Sequence, residues 1–199
     1  MEEGKKKGLF RQKFSSGHSG DFDCMILYAL VRAIKPDVVV ETGVASGRSS
    51  WIILEAMDEN KKGRLYSIDL PKYYSGKIPA SYLTREGKEE LCGFVPEGKQ
   101  PGWLVPEYLR SRWTLILGES RKELPGLIGK FDKIDIFYHD SEHSYENMKF
   151  EFEAAWPKIP LAGFLLSDDI GWNNAFKEFL VKNKHKFDCA YRNFGIILK

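Results

Sequence analysis

The sequence predicts a doubly wound α/β domain, with a mainly parallel sheet and helices on both faces. Short β-branched runs alternate with amphipathic helical patterns over most of the chain, which is typical of this class. Several of the predicted strands end in an acidic residue or lead straight into one. The 199 residues, 43% hydrophobic and 29% charged, fit one globular domain with a sizeable core.

Composition and charge argue against several other classes of protein. The formal net charge of +2 is too small to indicate a nucleic-acid partner. No apolar run approaches the roughly 18 residues of a membrane span, and the N-terminus lacks the apolar stretch of a signal peptide. The cysteines, Cys24, Cys92 and Cys189, are too scattered for a disulfide framework or a zinc site. We therefore expect a cytoplasmic protein without a membrane partner.

The first half of the chain yields two helix–strand units after a basic segment. Residues 1–20 are rich in Lys, Arg, Gly and Ser and are expected to form a flexible arm. A helix begins at the predicted N-cap Asp21 and stops before Pro36. Strand 38–40, helix 48–57 and strand 65–68 follow.

Residues 71–112 interrupt this pattern. They are rich in proline and aromatic residues and show little periodicity. So long a connection is uncommon unless it is functional, and its aromatic content argues against a disordered linker. We therefore expect one domain over residues 21–199, with a packed cap at about 71–112 that covers the substrate.

Regular structure returns after the cap. The predicted elements are strands 113–117, 134–138 and 163–166, helices 121–127, 144–156 and 174–182, and two final strands at 187–191 and 194–198. The tight connection at 192–193 predicts that the two final strands pair antiparallel.

Carboxylates follow the ends of several predicted strands. They are Glu41, Asp69, Asp140 and Asp168, with Glu119 two residues beyond a fifth strand. Ligands bind beyond the carboxyl ends of the strands in an open parallel sheet, so these side chains are expected at one edge. Carboxylates gathered there repel each other unless a cation or a ligand is present.

A glycine loop follows the first strand. Its pattern, Glu41-x-Gly43-x-x-x-Gly47, lets the backbone approach a ligand closely and leads into a helix N-terminus. Asp69, after the next strand, could accept both hydroxyls of a ribose. A plain tight turn at the glycines and a turn cap at Asp69 are the alternatives. The loop lacks the G-x-G-x-x-G of dinucleotide binders, which argues against a nicotinamide-dependent oxidoreductase.

Four motifs in order resemble those of class I S-adenosylmethionine-dependent methyltransferases. They are ETGVASGRS at 41–49, SID at 67–69, GES at 118–120 and HDSEHSY at 139–145. With DDI at 168–170, they are most similar to a small O-methyltransferase-like branch that includes cephalosporin-hydroxylase-type and macrolide-sugar enzymes. The resemblance covers about residues 21–198. It implies a Rossmann-like seven-stranded sheet whose last strand is inserted antiparallel between its neighbours.

The resemblance also implies a binding site for S-adenosylmethionine. The loop would hold the methionine part, with Glu41 beneath it, either contacting the amino group or ordering the loop. Asp69 would hold the ribose. The implied cofactor-binding residues are Glu41, Gly43, Ser46, Gly47, Ser49, Asp69, Glu119, Ser120 and His139, the last three near the adenine.

A second set of residues resembles the metal site of metal-dependent O-methyltransferases. Asp140, Asp168 and Asp169 would offer hard oxygen ligands to Mg²⁺, or to Ca²⁺ or Mn²⁺. His143 replaces the lysine of catechol-type relatives, and with Asp140 it is the candidate catalytic group. The alternative is that the aspartates cap helices or accept backbone N–H bonds, and that His143 only caps a helix.

These observations favour an O-methyltransferase that acts on a small hydroxylated acceptor, such as a sugar or a natural-product-like compound. A non-catalytic cofactor-binding or scaffold protein of the same fold is the main alternative. Nucleic-acid methylation and nicotinamide-dependent oxidation are disfavoured by charge and by the loop motif. A homodimer is expected from the apolar surface of the cap and the first helix.

Overall fold

The structure, a computed structural model, describes residues 19–73, 94–95 and 98–199. Most of the predicted basic arm (1–18) and much of the predicted cap (74–93 and 96–97) lie outside the described residues. In chain order the elements are α1 (Asp21–Ile34), β1 (Val38–Thr42), α2 (Arg48–Asn60), β2 (Arg64–Asp69), β3 (Lys72–Tyr73), β4 (Phe94–Val95), β5 (Trp113–Leu117), α3 (Ser120–Ile128), β6 (Ile136–His139), α4 (Tyr145–Ala155), β7 (Phe164–Ser167), α5 (Ala175–Lys182), β8 (Phe187–Tyr191) and β9 (Phe194–Leu198). Two 3₁₀ helices span Glu107–Arg112 and Trp156–Lys158.

The central sheet has seven strands in the order β5-β2-β1-β6-β7-β9-β8. Strands β1, β2, β5, β6 and β7 pair in parallel. Strand β9 runs antiparallel to both of its neighbours, β7 and β8. The predicted fold class is confirmed, including the last strand inserted between its neighbours. A separate parallel pair, β3 and β4, joins two parts of the cap region.

Two apolar layers enclose this sheet. Adjacent residues of β6 point to opposite faces, as the pleat of a strand requires. Tyr138 packs with Phe194 and residues of α1 and α2 on one face. Phe137 packs with Phe152 and residues of α3, α4 and α5 on the other. Burying one such side chain contributes about 1.5–3 kcal/mol, so both helix layers are firmly attached to the sheet.

The register of the strands brings their carboxyl ends level. Thr42 lies opposite Ile68 and His139, and His139 lies opposite Ser167. The chain therefore leaves four neighbouring strands at one edge of the sheet. The residues found there are Gly43, Asp69, Asp140 and Asp168.

Element boundaries differ slightly from those predicted. The N-cap of α1 is Gly20 rather than Asp21, and the Gly20 N–H donates to Asp23 Oδ2 (2.9 Å). Strand β6 is shifted by two residues at its start and includes His139. The shift arises because the Ile134 N–H donates to the carbonyl of Lys158 instead of joining the sheet (2.9 Å). No helix of the described residues is long and apolar enough to cross a membrane.

Candidate active site

The glycine loop between β1 and α2 has an unusual backbone. Gly43 and Gly47 have positive φ angles of 87° and 85°, and Ala45 between them has a φ of 45°. A Cβ on Gly43 would lie 1.9 Å from the backbone oxygen of Asp140. Only glycine fits here, because the loop needs both a left-handed conformation and a close approach to the 139–144 segment.

Asp69 holds this loop from the neighbouring strand. Its Oδ1 accepts the N–H of Val44 (2.9 Å) and, at the limit of bonding distance, that of Ala45 (3.5 Å). The Gly43 N–H donates to the carbonyl of Ile68 (2.8 Å). Asp69 therefore orders the loop, which is the turn-cap role that the sequence analysis gave as its alternative. A carboxylate has about four lone-pair sites, so bonds to these amides do not by themselves exclude further hydroxyl donors.

Glu41 lies fully buried beneath the loop. Its Oε1 accepts from Ser49 Oγ (2.5 Å), and its Oε2 accepts from Ser50 and Ser67 Oγ (2.6 Å each). Burial raises the pKa of Glu41, and the three hydroxyl donors act against that rise. The hydrogen bond between Ser49 and Glu41 links the start of α2 to β1.

Ser46 is the polar side chain at the centre of the loop. It is buried, and its hydroxyl has no hydrogen-bond partner among the described residues. The carbonyls of Ala45 and Ser46 accept N–H bonds from Gly102 (2.9 Å) and Leu104 (3.0 Å), at the described end of the cap region. A buried hydroxyl without a partner costs about 1–3 kcal/mol, so a ligand that bonds to Ser46 would remove this penalty.

Asp140 begins the acidic side of the same edge. Its Oδ2 accepts from Ser19 Oγ (3.0 Å) and from Tyr138 OH (3.1 Å), and these two hydroxyls also contact each other (2.9 Å). Burial and the nearby Asp168 raise the pKa of Asp140 well above its ordinary value, and the hydroxyl donors only partly oppose this. Asp140 therefore lies in an electrostatically unfavourable place for a bare carboxylate.

Asp168 and Asp169 complete an acidic cluster with Asp140. The Asp169 N–H donates to Asp168 Oδ1 (2.8 Å), and Asn193 Nδ2 donates to Asp169 Oδ1 (3.3 Å). Burial, followed by repulsion from Asp169, raises the pKa of Asp168 to about 7. Burial also raises the pKa of Asp169, whose positive φ of 51° is rare outside glycine. Among the described residues, no Lys or Arg forms an ion pair with these carboxylates.

His143 faces the acidic cluster. Its Nε2 lies 3.9 Å from Asp140 Oδ1 and 3.9 Å from Asp169 Oδ2. The side chain is 15% exposed, and its ring lies 5.6 Å from that of Trp172. An imidazole in this position can exchange a proton with a group bound between the cluster and solvent.

The donor set of the cluster suits a hard divalent cation. Such ions prefer carboxylate oxygens, and the mutual repulsion of Asp140, Asp168 and Asp169 is what a cation would relieve. As folded, however, no group of three or more His, Cys, Asp or Glu side chains in residues 19–73, 94–95 and 98–199 is arranged to hold a metal ion. The three carboxylates fit a cation in chemistry, and their side chains would have to turn towards a common point.

The residues predicted near the adenine lie in two different environments. Glu119 is exposed and pairs with Lys122 (2.9 Å), while Ser120 Oγ donates to Asn147 Oδ1 (3.3 Å). His139 is fully buried behind the edge, with its Nδ1 2.6 Å from Glu151 Oε2. The structure therefore brings Glu119 and Ser120 to the surface of the edge and His139 to its interior.

Comparison with protein families decides the class of this fold. A family model described as a methyltransferase domain matches residues 40–170, about two thirds of the chain, including the glycine loop and the acidic cluster. The chain belongs to the methyltransferase-domain family. The predicted class of enzyme is thereby confirmed. No curated protein matches the sequence of this methyltransferase significantly.

Solved structures show the same fold at low sequence identity. The O-methyltransferase from Bacillus cereus, solved with SAH (S-adenosylhomocysteine), has a TM-score of 0.66 and 12% identity, over 100% of this chain and 90% of that chain. TomG from Streptomyces achromogenes, an O-methyltransferase of tomaymycin synthesis solved with SAM (S-adenosylmethionine), gives 0.63 and 15%, over 92% and 81%. MycE of the mycinamycin pathway, solved with Mg, SAH and mycinamycin VI, gives 0.58 and 13%, over 94% and 55%. This methyltransferase thus spans about half the length of MycE.

Several polar residues at the edge of this methyltransferase were not predicted from the sequence. They are Ser19 and Tyr138, which bond to Asp140, and Ser141, Asn147 and Glu151, which form a network behind it. A signal for Glu151 was present. It lies three residues after Met148 and four before Ala155, on the buried stripe of α4, where Asn147 is the other polar residue. A carboxylate on a buried stripe indicates a paired charge.

The pKa of Glu151 predicts how the stability of this methyltransferase depends on pH. Burial raises this pKa, but the charge of His139 and hydrogen bonds from His139 and Thr42 outweigh it and lower the pKa to about 2. Because the pKa in the folded protein lies below the ordinary value of 4.5, the charged form stabilises the fold above about pH 4.5, and this stabilisation is lost towards pH 2. The contribution is about 3 kcal/mol at most.

We expect the difference in unfolding free energy between wild type and Glu151→Gln to shrink as the pH falls from about 6 to about 3. Urea denaturation at a series of pH values measures it. Asp140, Asp168 and Asp169 have raised pKa values, which change the stability with pH in the opposite direction. Their contribution is the same in both proteins, so the difference between wild type and variant reports on Glu151 alone. A difference that stays constant over this range contradicts the prediction.

Proposed function

We propose that this methyltransferase transfers a methyl group from S-adenosylmethionine to a hydroxyl oxygen of a small acceptor, such as a sugar or a natural-product-like compound. One observation carries the proposal. The register of the sheet brings a glycine loop braced by Asp69 and an acidic cluster faced by His143 to the same edge. A donor site and an acceptor site for methyl transfer have to lie side by side in this way.

The glycine loop and Asp69 form the cofactor side. Gly43 and Gly47 lack the Cβ that would collide with the backbone of Asp140 and Gly102, so the loop can keep its left-handed turns between these two neighbours. The buried Ser46 hydroxyl is available for the methionine part, and Asp69 would accept the ribose hydroxyls. Glu119 and Ser120, at the start of α3, would lie against the adenine.

Asp140 and His143 form the acceptor side. Methyl transfer is an in-line displacement, so the protein has to align the acceptor oxygen with the methyl group and remove its proton. His143 would accept that proton, and the carboxylates 3.9 Å from its Nε2 would stabilise the resulting imidazolium. Asp140, held by two hydroxyls, would orient the acceptor.

Asp140, Asp168 and Asp169 would hold a divalent cation, with Mg²⁺ ahead of Ca²⁺ and Mn²⁺ because all the donors are hard oxygens. When bound, such a cation lowers the pKa of a hydroxyl that contacts it. Support for this part comes from the burial of the three carboxyl groups, which raises the pKa of each. Repulsion from Asp168 and Asp169 raises the pKa of Asp140 further, and repulsion from Asp169 raises that of Asp168.

A non-catalytic cofactor-binding protein is the second candidate. The observation in its favour is that the acidic cluster is already hydrogen-bonded within the protein, Asp140 by Ser19 and Tyr138, and Asp169 by Asn193. In that case the carboxylates of the edge would serve the fold alone. Such a protein would bind S-adenosylmethionine and transfer no methyl group to any acceptor.

The proposal is tested by methyl transfer from isotopically labelled S-adenosylmethionine to a panel of acceptors. The panel pairs each hydroxylated sugar or phenol with its amino analogue, so that oxygen and nitrogen acceptors are compared directly. Labelled product from hydroxylated compounds supports the proposal. Cofactor binding without any labelled product favours the second candidate, and transfer to the amino analogues alone overturns the assignment to oxygen.

We expect removal of divalent cations to slow methyl transfer while leaving cofactor affinity close to that of untreated protein. The reason is that the acidic cluster lies on the acceptor side and the glycine loop on the cofactor side. Turnover is measured with a chelator and again after Mg²⁺ is restored, beside calorimetric titration of S-adenosylmethionine. Turnover that is unchanged by the chelator removes the cation from the proposal.

A further inference from the structure

A fully buried carboxylate lies behind the site, and the proposed function does not use it. Glu151, on α4, has no exposed surface. Its contacts come from four side chains: Thr42 Oγ1 (2.5 Å), His139 Nδ1 (2.6 Å), Ser141 Oγ (2.7 Å) and Asn147 Nδ2 (3.0 Å). We propose that Glu151 is a positioning residue whose single carboxylate fixes the glycine loop relative to the segment that carries Asp140.

The partners of Glu151 flank functional residues. Thr42 is the last residue of β1 and directly precedes Gly43. His139 and Ser141 stand on either side of Asp140. Glu151 itself contacts neither the loop interior nor the acidic cluster, so it acts through these neighbours.

The two segments that Glu151 joins also touch each other directly. The Asp140 N–H donates to the carbonyl of Thr42 (2.8 Å), and the Asp140 carbonyl lies against the bare Cα of Gly43. Because the contact leaves no room for a Cβ, a shift of either segment moves the other. Glu151 bonds to Thr42 before the glycine loop and to His139 and Ser141 beside Asp140. These bonds therefore set the spacing between the cofactor side and the acceptor side of the site.

Asn147 extends the same network to a third segment of the site. Its Nδ2 donates to Glu151 Oε1 (3.0 Å) and to the carbonyl of Glu142 (3.1 Å). Its Oδ1 accepts from Ser120 Oγ (3.3 Å), at the start of α3. One connected set of buried bonds thus reaches the glycine loop, the Asp140 segment and the predicted adenine side.

The role requires a carboxylate rather than any polar group of the same size. An ionised carboxylate only accepts hydrogen bonds, and Thr42, Ser141 and Asn147 all donate to Glu151. Glutamine would direct its own N–H₂ at some of these donors and break their bonds. Glu151→Gln therefore disturbs the network with little change in volume.

The test compares Glu151→Gln with Asp135→Asn. Asp135 is also buried and accepts the N–H groups of Asp37 (2.8 Å) and Val38 (3.0 Å), but it lies at the opposite end of the same sheet. Both variants should lower the melting temperature. Only Glu151→Gln should weaken binding of S-adenosylhomocysteine, by about tenfold or more, and speed amide hydrogen exchange in residues 42–47 and 139–144.

Equal affinity and equal local exchange in the two variants would show that Glu151 only stabilises the fold, and would overturn the proposal. Should Glu151→Gln fail to fold, Ser141→Ala removes a single donor and should give the same pattern in milder form. The affinity readout rests on the proposed function, whereas hydrogen exchange does not. Wild-type protein that binds no S-adenosylhomocysteine would therefore refute the proposed function, while exchange would still decide the role of Glu151.

Discussion

Gly43→Ala is expected to destabilise the protein by about 3 kcal/mol or more and to abolish measurable cofactor binding. A φ of 87° costs an alanine about 1–2 kcal/mol by itself. The added Cβ would also lie 1.9 Å from the backbone oxygen of Asp140, so the glycine loop or the Asp140 segment has to move. Urea denaturation and calorimetric titration of S-adenosylhomocysteine measure the two effects.

Gly98→Ala is the matched control for this substitution. Gly98 also has a positive φ, 75°, but a Cβ there would meet no atom of the described residues within 4 Å. It should therefore show the conformational cost alone, about 1 kcal/mol, with cofactor affinity like that of the wild type. Equal losses of stability in the two variants would mean that the close contact between Gly43 and Asp140 adds nothing to the destabilisation by Gly43→Ala.

Asp140→Asn is expected to lower the turnover number by about 10²–10⁴-fold while cofactor affinity stays close to that of the wild type. Asp140 lies on the acceptor side, with one carboxylate oxygen held by Ser19 and Tyr138 and the other facing His143. The amide keeps the shape of the side chain but removes its charge. Turnover with a hydroxylated acceptor and titration of S-adenosylmethionine separate the two properties.

The control for charge is Asp132→Asn. Asp132 is an exposed acid before β6, at the end of the sheet away from the site. It should leave both turnover and affinity unchanged. If Asp140→Asn loses cofactor affinity as severely as turnover, the division of the edge into a cofactor side and an acceptor side is wrong.

The architecture could be predicted because its signals are local. The apolar runs that became β1, β2, β6 and β7 each end within two residues of an acidic residue. Parallel pairing then places those ends at one edge without further information. Asp69 and Asp140 were accordingly predicted at the same edge as Gly43, and the register of the sheet places them there.

The buried polar contacts could not be predicted in this way, because they join residues that are far apart in the sequence. Ser19 bonds to Asp140 across 121 positions, and Thr42 bonds to Glu151 across 109. No spacing rule links such pairs. The sequence carried only the anomaly of Glu151 on a buried stripe, and its partners depended on how α4 packs against β1 and β6.

His139 illustrates a different limit of the sequence pattern. It was predicted near the adenine from its place in a motif, but it occupies the last position of β6 with its side chain directed into the interior. The predicted strand ended at residue 138, so the pattern left His139 in the loop beyond it, whereas β6 continues through His139. An alternating pattern cannot resolve a difference of one residue at the end of a strand.

The most direct test of this account is calorimetric titration of S-adenosylmethionine into the wild-type protein, with NAD titrated in parallel. We expect a single site with a dissociation constant on the order of 1 to 100 μM for S-adenosylmethionine and no heat of binding for NAD. Binding of NAD in its place, or no binding of S-adenosylmethionine, would contradict the assignment of the glycine loop and Asp69 to this cofactor.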